Sequence, residues 1–307
     1  MMSDTHFPDP RVSTCVTGTV AGGVNDDCHS YTGGVKAGKK RIMRTPHVVA
    51  IFWGQNSNDA TALGQLLSDL VKGPFTNGLV QYGVGRGSVT TITVNDDQKN
   101  PAPATLDRPQ VPDQLNKWFQ DGTVSPAPSV NEMNLLYFLF PPTKTEVKNG
   151  DWSTKSPDRK KAICGYHASG RKSKSSSQND DLFWAIVGTS GAPSGTGTSF
   201  ANSLAYCVSH ELVEALSDRD SQGYLADNGC EIGDICECKA GCPNLITFQY
   251  RGWSVEQYWS NWDNNCIQGD QPVSLRKFLV SIGFDFSQGL RSLHTPVINL
   301  QYMASRA

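Results

Sequence analysis

Two runs of almost uninterrupted apolar residues constrain the fold of this chain more than any other feature of its sequence. The first spans residues 46–54, between Pro46 and Gly54, and the second spans residues 135–140, directly before two prolines. A strand that is apolar at every position, and not only at every second one, is typical of the buried centre of a sheet. The two runs therefore predict central strands of a mixed sheet in an α/β (α+β) fold.

Patterns typical of helices alternate with these strands. An N-cap at Asn58 or Asp59 predicts one helix, and Pro112 predicts the start of a shorter one. A third helix is predicted from Thr198 or Ser199, because apolar residues recur there with a helical period. Further strands are predicted at residues 86–95, 161–167 and 182–187, and a hairpin is predicted in the aromatic-rich residues 244–267.

The length of the chain, 307 residues, allows one large domain with a sizeable core. The turn-rich residues 1–45 predict an irregular N-terminal arm, residues 46–270 the main domain, and residues 271–307 a C-terminal helix and tail. No apolar run approaches the roughly 20 residues that a membrane span needs. The first residues also lack the basic and then apolar pattern of a secretory signal.

Charge and composition bear on partners and location. The chain has 27 Lys and Arg against 29 Asp and Glu, so a nucleic acid or an anionic membrane is not an expected partner. Charged residues make up 18% of the chain, below the roughly 25% of an average domain. With its many small polar residues, this composition favours a secreted or extracellular protein, with a cytoplasmic location as the alternative. Nothing in the sequence indicates the oligomeric state.

Nine cysteines occur in the chain, and five of them cluster between residues 230 and 266. One interpretation is a set of disulfides formed in an oxidising compartment. The other is a structural zinc ion on Cys236, Cys238 and Cys242. Their spacing, C-x-C-x3-C, departs from the two to four residues that separate ligands in zinc knuckles, so disulfides are favoured.

The segment 209–214, S-H-E-L-V-E, lies within the third predicted helix and carries the candidate chemistry. His210 and Glu214 are four residues apart, so an imidazole and a carboxylate share one face and can hold one ion. Glu211 is placed to reach a water molecule at that ion. This arrangement follows the logic of H-E-x-x-H, with a glutamate in place of the second histidine, and zinc accepts carboxylate ligands.

The position of Glu211 favours a metal site over a solvated helix face. Glu211 lies four residues after Cys207 and four before Ala215, on the apolar stripe of the predicted helix. A carboxylate there needs a partner, because a buried unpaired charge is costly. Several strands, an edge strand and then a helix bearing His-Glu is the layout of zincin catalytic domains. The sequence therefore predicts a zincin-like metalloprotease domain with an active-site helix and a Cys-rich C-terminal subregion.

Five motifs follow one another in a fixed order along residues 30–267: Y-T-G-G at 31–34 ahead of 46–54, C-G-Y-H at 164–167, S-H-E-L-V-E-A at 209–215, E-I-G-D-I-C at 231–236, and Q-Y-W-S-N at 257–261 with Cys266 behind it. In this order they resemble the motifs of the EXORDIUM/phosphate-induced-protein family and its bacterial relatives. The resemblance implies the fold and the H-E-x-x-E site. It implies no particular activity, since plant members are described as apoplastic and growth-associated. Cys238, Cys242 and the tail after residue 270 are not part of the pattern.

A catalytic zinc ion takes three protein ligands, so one more is expected downstream. Glu231 is the first choice, because zincins with a distant glutamate place it some twenty residues on, and Asp234 is the second choice or an outer partner. A Cys236–Cys266 disulfide would pin the Glu231 loop near the closing strand. The other candidates are Asp218, Asp220 and Glu237, of which the first two can equally cap the helix exit and solvate the turn.

His167, which follows a predicted strand, is a candidate to stabilise an oxyanion or to bind the metal, although such a histidine is more often a packing residue. The sequence thus predicts a Zn²⁺-dependent hydrolase acting on a peptide or protein substrate. Glu211 is the expected general base, His167 a catalytic partner, and the metal ligands are His210, Glu214 and Glu231. The alternative is a non-enzymatic secreted or cell-surface module with a structural metal or none.

Overall fold

A computed structural model of the protein describes residues 34–38, 42–125, 132–156, 162–171, 181–236 and 247–270. Most of the predicted N-terminal arm and the whole predicted C-terminal helix and tail lie outside these ranges. The same holds for Glu237, Cys238 and Cys242, and for most of the polar connector between the strands predicted at 161–167 and 182–187.

Strands and helices alternate along the described residues, which confirms the predicted mixed α/β fold. The first half comprises β1 (Lys36–Ala37), β2 (His47–Trp53), α1 (Ser57–Lys72), β3 (Ser88–Val94), β4 (Thr105–Asp107), α2 (Gln110–Gln120), β5 (Leu135–Phe140), β6 (Glu146–Asn149) and β7 (Trp152–Ser153). The second half comprises β8 (Gly165–Arg171), β9 (Asp181–Val187), α3 (Thr198–Ser217), β10 (Tyr224–Leu225), β11 (Thr247–Tyr250), β12 (Trp253–Glu256), β13 (Tyr258–Ser260) and β14 (Asn265–Ile267). Short 3₁₀ helices span Pro74–Tyr82, Glu132–Asn134 and Asp234–Cys236.

A five-stranded sheet in the order β3-β2-β5-β9-β8 forms the centre of the molecule. The first four strands are parallel, and the register places Ile51 of β2 between Ile92 and Leu139. The edge strand β8 runs antiparallel to β9, with His167 opposite Ala185. The two apolar runs thus form the adjacent inner strands β2 and β5, as their composition predicts.

The inner strands β2 and β5 are buried on both faces of the sheet. Successive side chains of a strand point to opposite sides, so each face has its own packing partners. On one face Val48, Ala50 and Phe52 of β2 pack with α1 and α3 in the larger core cluster. On the other face Val49 and Ile51 pack in the second cluster, which contains the apolar side of α2. The two layers of helices explain why the inner strands are apolar at every position.

Helix α3 is buried along almost its whole length, including every residue from Leu204 to Ser217. It contacts α1, the strands β8 and β9 and the strand β12, so it is enclosed from several sides. A helix that is surrounded in this way has no solvated face, and its polar side chains must find partners inside the protein. The strand order and this burial place the H-E-x-x-E segment in the interior.

A buried aspartate, Asp59, connects the start of α1 to the loop that leads into α3. Its carboxylate accepts hydrogen bonds from the backbone N–H groups of Gly195 (2.6 Å) and Gly197 (2.8 Å). Gly197 precedes α3 with a φ of 57°, a left-handed value that glycine adopts readily. Asp59 therefore fixes the position at which α3 begins.

Two disulfides join distant parts of the described chain, which favours the disulfide interpretation of the cysteines. Cys164 at the start of β8 is bonded to Cys207 of α3, and Cys236 is bonded to Cys266 of β14. Cys230 is disulfide-bonded as well. The second disulfide removes Cys236 from the alternative zinc site.

Several local predictions are corrected by the structure. Asn56, and neither Asn58 nor Asp59, caps α1, and Gly197 precedes α3 without a side-chain cap. The aromatic-rich segment forms two hairpins, β11–β12 and β13–β14, where one was predicted. The strand predicted at 161–167 begins at Gly165.

None of the helices in the described part of the chain has the length and apolar character that a membrane crossing requires.

We expect the Asp59→Ala variant to lose about 2–4 kcal/mol of its free energy of unfolding, because several backbone donors lose a charged acceptor. Asn58→Ala, one residue away on the exposed side of the same helical turn, is the matched control and should change stability by less than about 0.5 kcal/mol. Urea denaturation measures both values. Equal stabilities of the two variants would show that the α1–α3 connection does not depend on this carboxylate.

Candidate metal centre

Helix α3 directs three ionisable side chains into the interior. Its partners are β8 on one side and β12 on the other, and both approach closely. Glu211 lies on the β8 side, one turn after Cys207, and His210 lies on the β12 side. A methyl group added at Gly165 would come within 3.1 Å of Glu211 Cγ, so the glycine allows the strand to approach the helix. Glu214 lies one turn after His210, and its Oε2 is 3.3 Å from His210 Nε2.

Strand β8 contributes His167 to the same place. The neighbouring Tyr166 and Ala168 belong to the core on the α2 side of the sheet, so strand alternation turns His167 towards α3. Its Nδ1 is 3.4 Å from Glu211 Oε2 and 3.8 Å from Glu214 Oε2. Its Nε2 is 3.1 Å from the backbone oxygen of Asp218. The predicted catalytic histidine is thus brought to the H-E-x-x-E helix.

The loop after α3 adds Glu231 and Asp234. The backbone N–H of Asp234 donates to Glu214 Oε1 (3.1 Å), and the Asp234 carboxylate accepts from the backbone N–H of Glu231 (3.0 Å). Asp234 Oδ1 lies 4.0 Å from His210 Nε2, whereas Glu231 Oε1 lies 3.2 Å from His167 Nε2. The Cys236–Cys266 disulfide and a bond from the Trp259 N–H to the Ile232 oxygen hold this loop against β13 and β14.

Glu256 of β12 is the site residue that the sequence analysis missed. Its Oε2 lies 2.7 Å from His210 Nδ1, and its Oε1 accepts a hydrogen bond from the Tyr206 hydroxyl. Its backbone N–H donates to Ser209 Oγ (2.9 Å). The available signal was one of two acids, Glu256 and Asp263, within the aromatic-rich hairpin segment, but the partner of Glu256 is 46 residues away in sequence.

Unpartnered polar atoms converge at the centre of this cluster. One oxygen each of Glu211, Glu214, Glu231 and Asp234 has no hydrogen-bond partner, and neither has His167 Nδ1. Each of these residues is at most 4% exposed. Buried polar atoms without partners are rare in native proteins and are costly. Several of them facing one another are therefore a sign of a site that takes up cations.

The electrostatics of the cluster agree with this interpretation. Burial raises the pKa of Asp234 well above its ordinary value, and the nearby Glu214 raises it further. Burial also raises the pKa of Glu231, although His167 opposes the effect. Burial alone would lower the pKa of His210, but Glu214 and Glu256 raise it well above its ordinary value. The potential that favours a proton on an imidazole here equally favours a metal cation.

Among the described residues, two groups of potential ligand atoms without disulfide-bonded cysteines meet the distance requirement for a metal ion. The first comprises His210, Glu214 and Asp234, and the second comprises His167, Glu214 and Glu231; within each group the ligand atoms lie within 4.8 Å of one another. In a tetrahedral zinc site with bonds of about 2.0–2.2 Å, ligand atoms lie roughly 3.3–3.6 Å apart. In the first group, the 3.3 Å from His210 Nε2 to Glu214 Oε2 matches this separation, and the 4.0 Å to Asp234 Oδ1 exceeds it slightly.

The predicted ligands belong to two different groups in the structure. His210 and Glu214 lie together as expected, but the structure associates Glu231 with His167, and Asp234 takes the place beside His210. The Asp218 side chain accepts from the Gly223 N–H (2.6 Å), so it holds the turn after α3. Asp220 is in neither ligand group, and Glu237 lies outside the described residues.

No protein-family model matches the chain, and comparison with curated proteins and with solved structures finds no match either. The arrangement of its own residues therefore carries the functional argument.

Gly233 allows the loop to lie directly on the helix, and we expect Gly233→Ala to lower the free energy of unfolding by about 1–3 kcal/mol. The added methyl group would lie 2.8 Å from Glu214 Oε1 and 3.0 Å from His210 Nδ1. Glu214 cannot move away freely, because Oε1 accepts from the Asp234 N–H.

A double-mutant cycle with Glu214→Ala provides the control for this prediction. Since Glu214→Ala removes the nearest contact, Gly233→Ala should cost less in that background than in the wild-type chain. Urea denaturation of the four proteins measures the difference. Strictly additive costs would contradict a contact between the loop and this carboxylate.

Proposed function

We propose that the protein is a zinc-dependent hydrolase, with a peptide bond as the leading substrate. The observation that carries the proposal is the convergence of His210 Nε2 with unpartnered oxygens of Glu214 and Asp234, next to the free carboxylate oxygen of Glu211. These residues would hold the ion through one imidazole and two carboxylates, a donor set that zinc accepts. Glu256 would orient the His210 ring through Nδ1, as outer carboxylates do at many metal-binding histidines.

Zinc held by His210, Glu214 and Asp234 would supply a Lewis acid that polarises a water molecule and the carbonyl group of the substrate. In the proposed mechanism the protein's own groups move the protons. Glu211 Oε2 takes a proton from the attacking water and delivers it to the nitrogen of the leaving amine. His167 Nδ1, 3.4 Å from this oxygen, lies beside the reacting groups. The buried surroundings strengthen each of these electrostatic interactions.

The topology supports the proposal of a zincin-like domain. The antiparallel edge strand β8 precedes α3 in the sequence, and the helix packs against β8 and β9 of the sheet. An edge strand ahead of the helix bearing His-Glu is the layout expected of zincin catalytic domains. A relationship to the EXORDIUM/phosphate-induced-protein family is likewise proposed, on the order of its motifs alone. The disulfides support a secreted or extracellular location.

The burial of the centre favours a second candidate function. His210, Glu211, Glu214 and Asp234 are each at most 2% exposed, and a fully enclosed ion would serve structure and not catalysis. In this alternative the protein is a non-enzymatic module with a structural metal. A screen with a broad fluorogenic peptide library, on protein whose zinc content has been measured, separates the two functions. Zinc-containing protein that cleaves none of the peptides would contradict the hydrolase.

We expect Glu211→Gln to reduce peptide hydrolysis by about 10²–10⁴-fold and to leave the zinc content unchanged, because the amide cannot accept the proton of the water. Plasma mass spectrometry measures zinc, and thermal unfolding verifies that the variant is folded. Asp113→Asn, a matched change on the exposed side of α2, should affect neither property. Loss of both zinc and activity, or of neither, would count against Glu211 as the base.

Glu256→Gln should weaken zinc binding by about 10–100-fold, because the amide no longer holds the His210 ring through a charged acceptor. Competition with a chromogenic chelator measures the affinity, and Asp113→Asn again serves as the control. An unchanged affinity would show that the Glu256–His210 contact is only structural.

A further inference from the structure

The two candidate ligand groups share one carboxylate, that of Glu214. His210 Nε2 lies 3.3 Å and His167 Nδ1 lies 3.8 Å from the same oxygen, Glu214 Oε2. Yet among the described residues no ligand group combines both histidines, although Glu214 belongs to a group with each. The two imidazoles therefore face different positions on either side of Glu214, and one ion cannot take both as ligands in this arrangement.

Each imidazole has one nitrogen beside a hydrogen-bond acceptor and the other within 4 Å of Glu214 Oε2, although His167 Nδ1 is also 3.4 Å from Glu211 Oε2. His210 Nδ1 is 2.7 Å from Glu256 Oε2, which assigns its proton to Nδ1 and leaves Nε2 with a lone pair. His167 Nε2 is 3.1 Å from the backbone oxygen of Asp218 and 3.2 Å from Glu231 Oε1, two acceptors that assign its proton to Nε2 and leave Nδ1 with a lone pair. Histidines that bind metals are commonly oriented in this way. Both histidines thus carry the orientation of a ligand.

The charge of the cluster exceeds what one ion balances. Six buried carboxylates surround the two histidines: Glu211, Glu214, Asp218, Glu231, Asp234 and Glu256. Within the described ranges no Lys or Arg forms a salt bridge with any of them. With all six carboxylates ionised, one divalent cation would leave four negative charges without compensation, and two cations would leave two. Uncompensated charge of this kind is unfavourable in a protein interior.

We propose that the centre binds two divalent cations bridged by Glu214, with His210 and Asp234 on the first ion and His167 and Glu231 on the second. The inference rests on the proposed metal site and extends it from one ion to two. A pair of ions stabilises both the attacking and the leaving group of a hydrolytic reaction. Glu231, for which the sequence predicts a place beside His210, becomes a ligand of the second ion.

The number of zinc ions per chain tests this proposal without any measurement of activity. The full-length protein is stripped with a chelator, dialysed against excess zinc and analysed by plasma mass spectrometry and titration calorimetry. We expect two ions in the wild type, one in His167→Ala and one in His210→Ala. His47→Ala is the matched control, since His47 bonds Ser88 on another part of the sheet, and it should keep two ions.

A second variant and a spectroscopic signal keep the test decisive. Glu231→Gln, which preserves the size of the side chain, should also lower the number of zinc ions per chain to one. If His167→Ala does not fold, the result for Glu231→Gln decides the test. With Mn²⁺ in place of zinc, two bridged ions give an exchange-coupled electron paramagnetic resonance spectrum in the wild type. The same measurement on Glu231→Gln should give the six-line spectrum of an isolated ion.

The outcomes distinguish this inference from the proposed function. One zinc ion per chain in the wild type, or two ions retained in Glu231→Gln and in folded His167→Ala, would overturn the second ion and leave the hydrolase standing. Two ions without peptide hydrolysis would uphold the inference and overturn the hydrolase. No bound zinc and no bound manganese would overturn both.

Discussion

The confinement of several carboxylates in the protein interior is the constraint on which the rest of this structure depends. Ionised side chains at the centre of a domain remain stable only where opposite charge and hydrogen-bond donors face them. Two imidazoles and a few backbone N–H groups provide part of this, as the bonds of Glu214 and Asp234 show. The remaining oxygens face one another without partners. Bound cations would explain why so much negative charge is gathered there.

The covalent structure holds the elements that carry these charges in place. The Cys164–Cys207 disulfide joins the strand bearing His167 to the helix bearing His210, and the Cys236–Cys266 disulfide joins the Asp234 loop to the last hairpin. Ligands held by rigid neighbours need little reorganisation when they bind an ion. The disulfides therefore act on the geometry of the centre as well as on the stability of the chain.

Local sequence patterns predicted the elements whose burial shows in their own order of apolar and polar residues. Strands β2 and β5 are apolar at every position because helices cover both faces of the sheet, and this shows in the sequence alone. The position of Glu211 on an apolar stripe likewise indicated an interior carboxylate, and Glu211 is 2% exposed. By contrast, the start of α3 depends on the contacts of the preceding loop with Asp59 of α1, which no local pattern contains.

The pairing of particular acids with particular histidines needed the tertiary structure. Spacing along the chain made Glu231 the first choice as the third ligand beside His210, because it lies some twenty residues after the motif. The loop instead turns so that Asp234 reaches His210, while Glu231 reaches His167 on an edge strand. Glu256 comes from another hairpin and contacts His210 across 46 residues. Spacing along the sequence can thus identify which residues form a cluster of buried acids and histidines. Which acid contacts which imidazole depends on the tertiary fold.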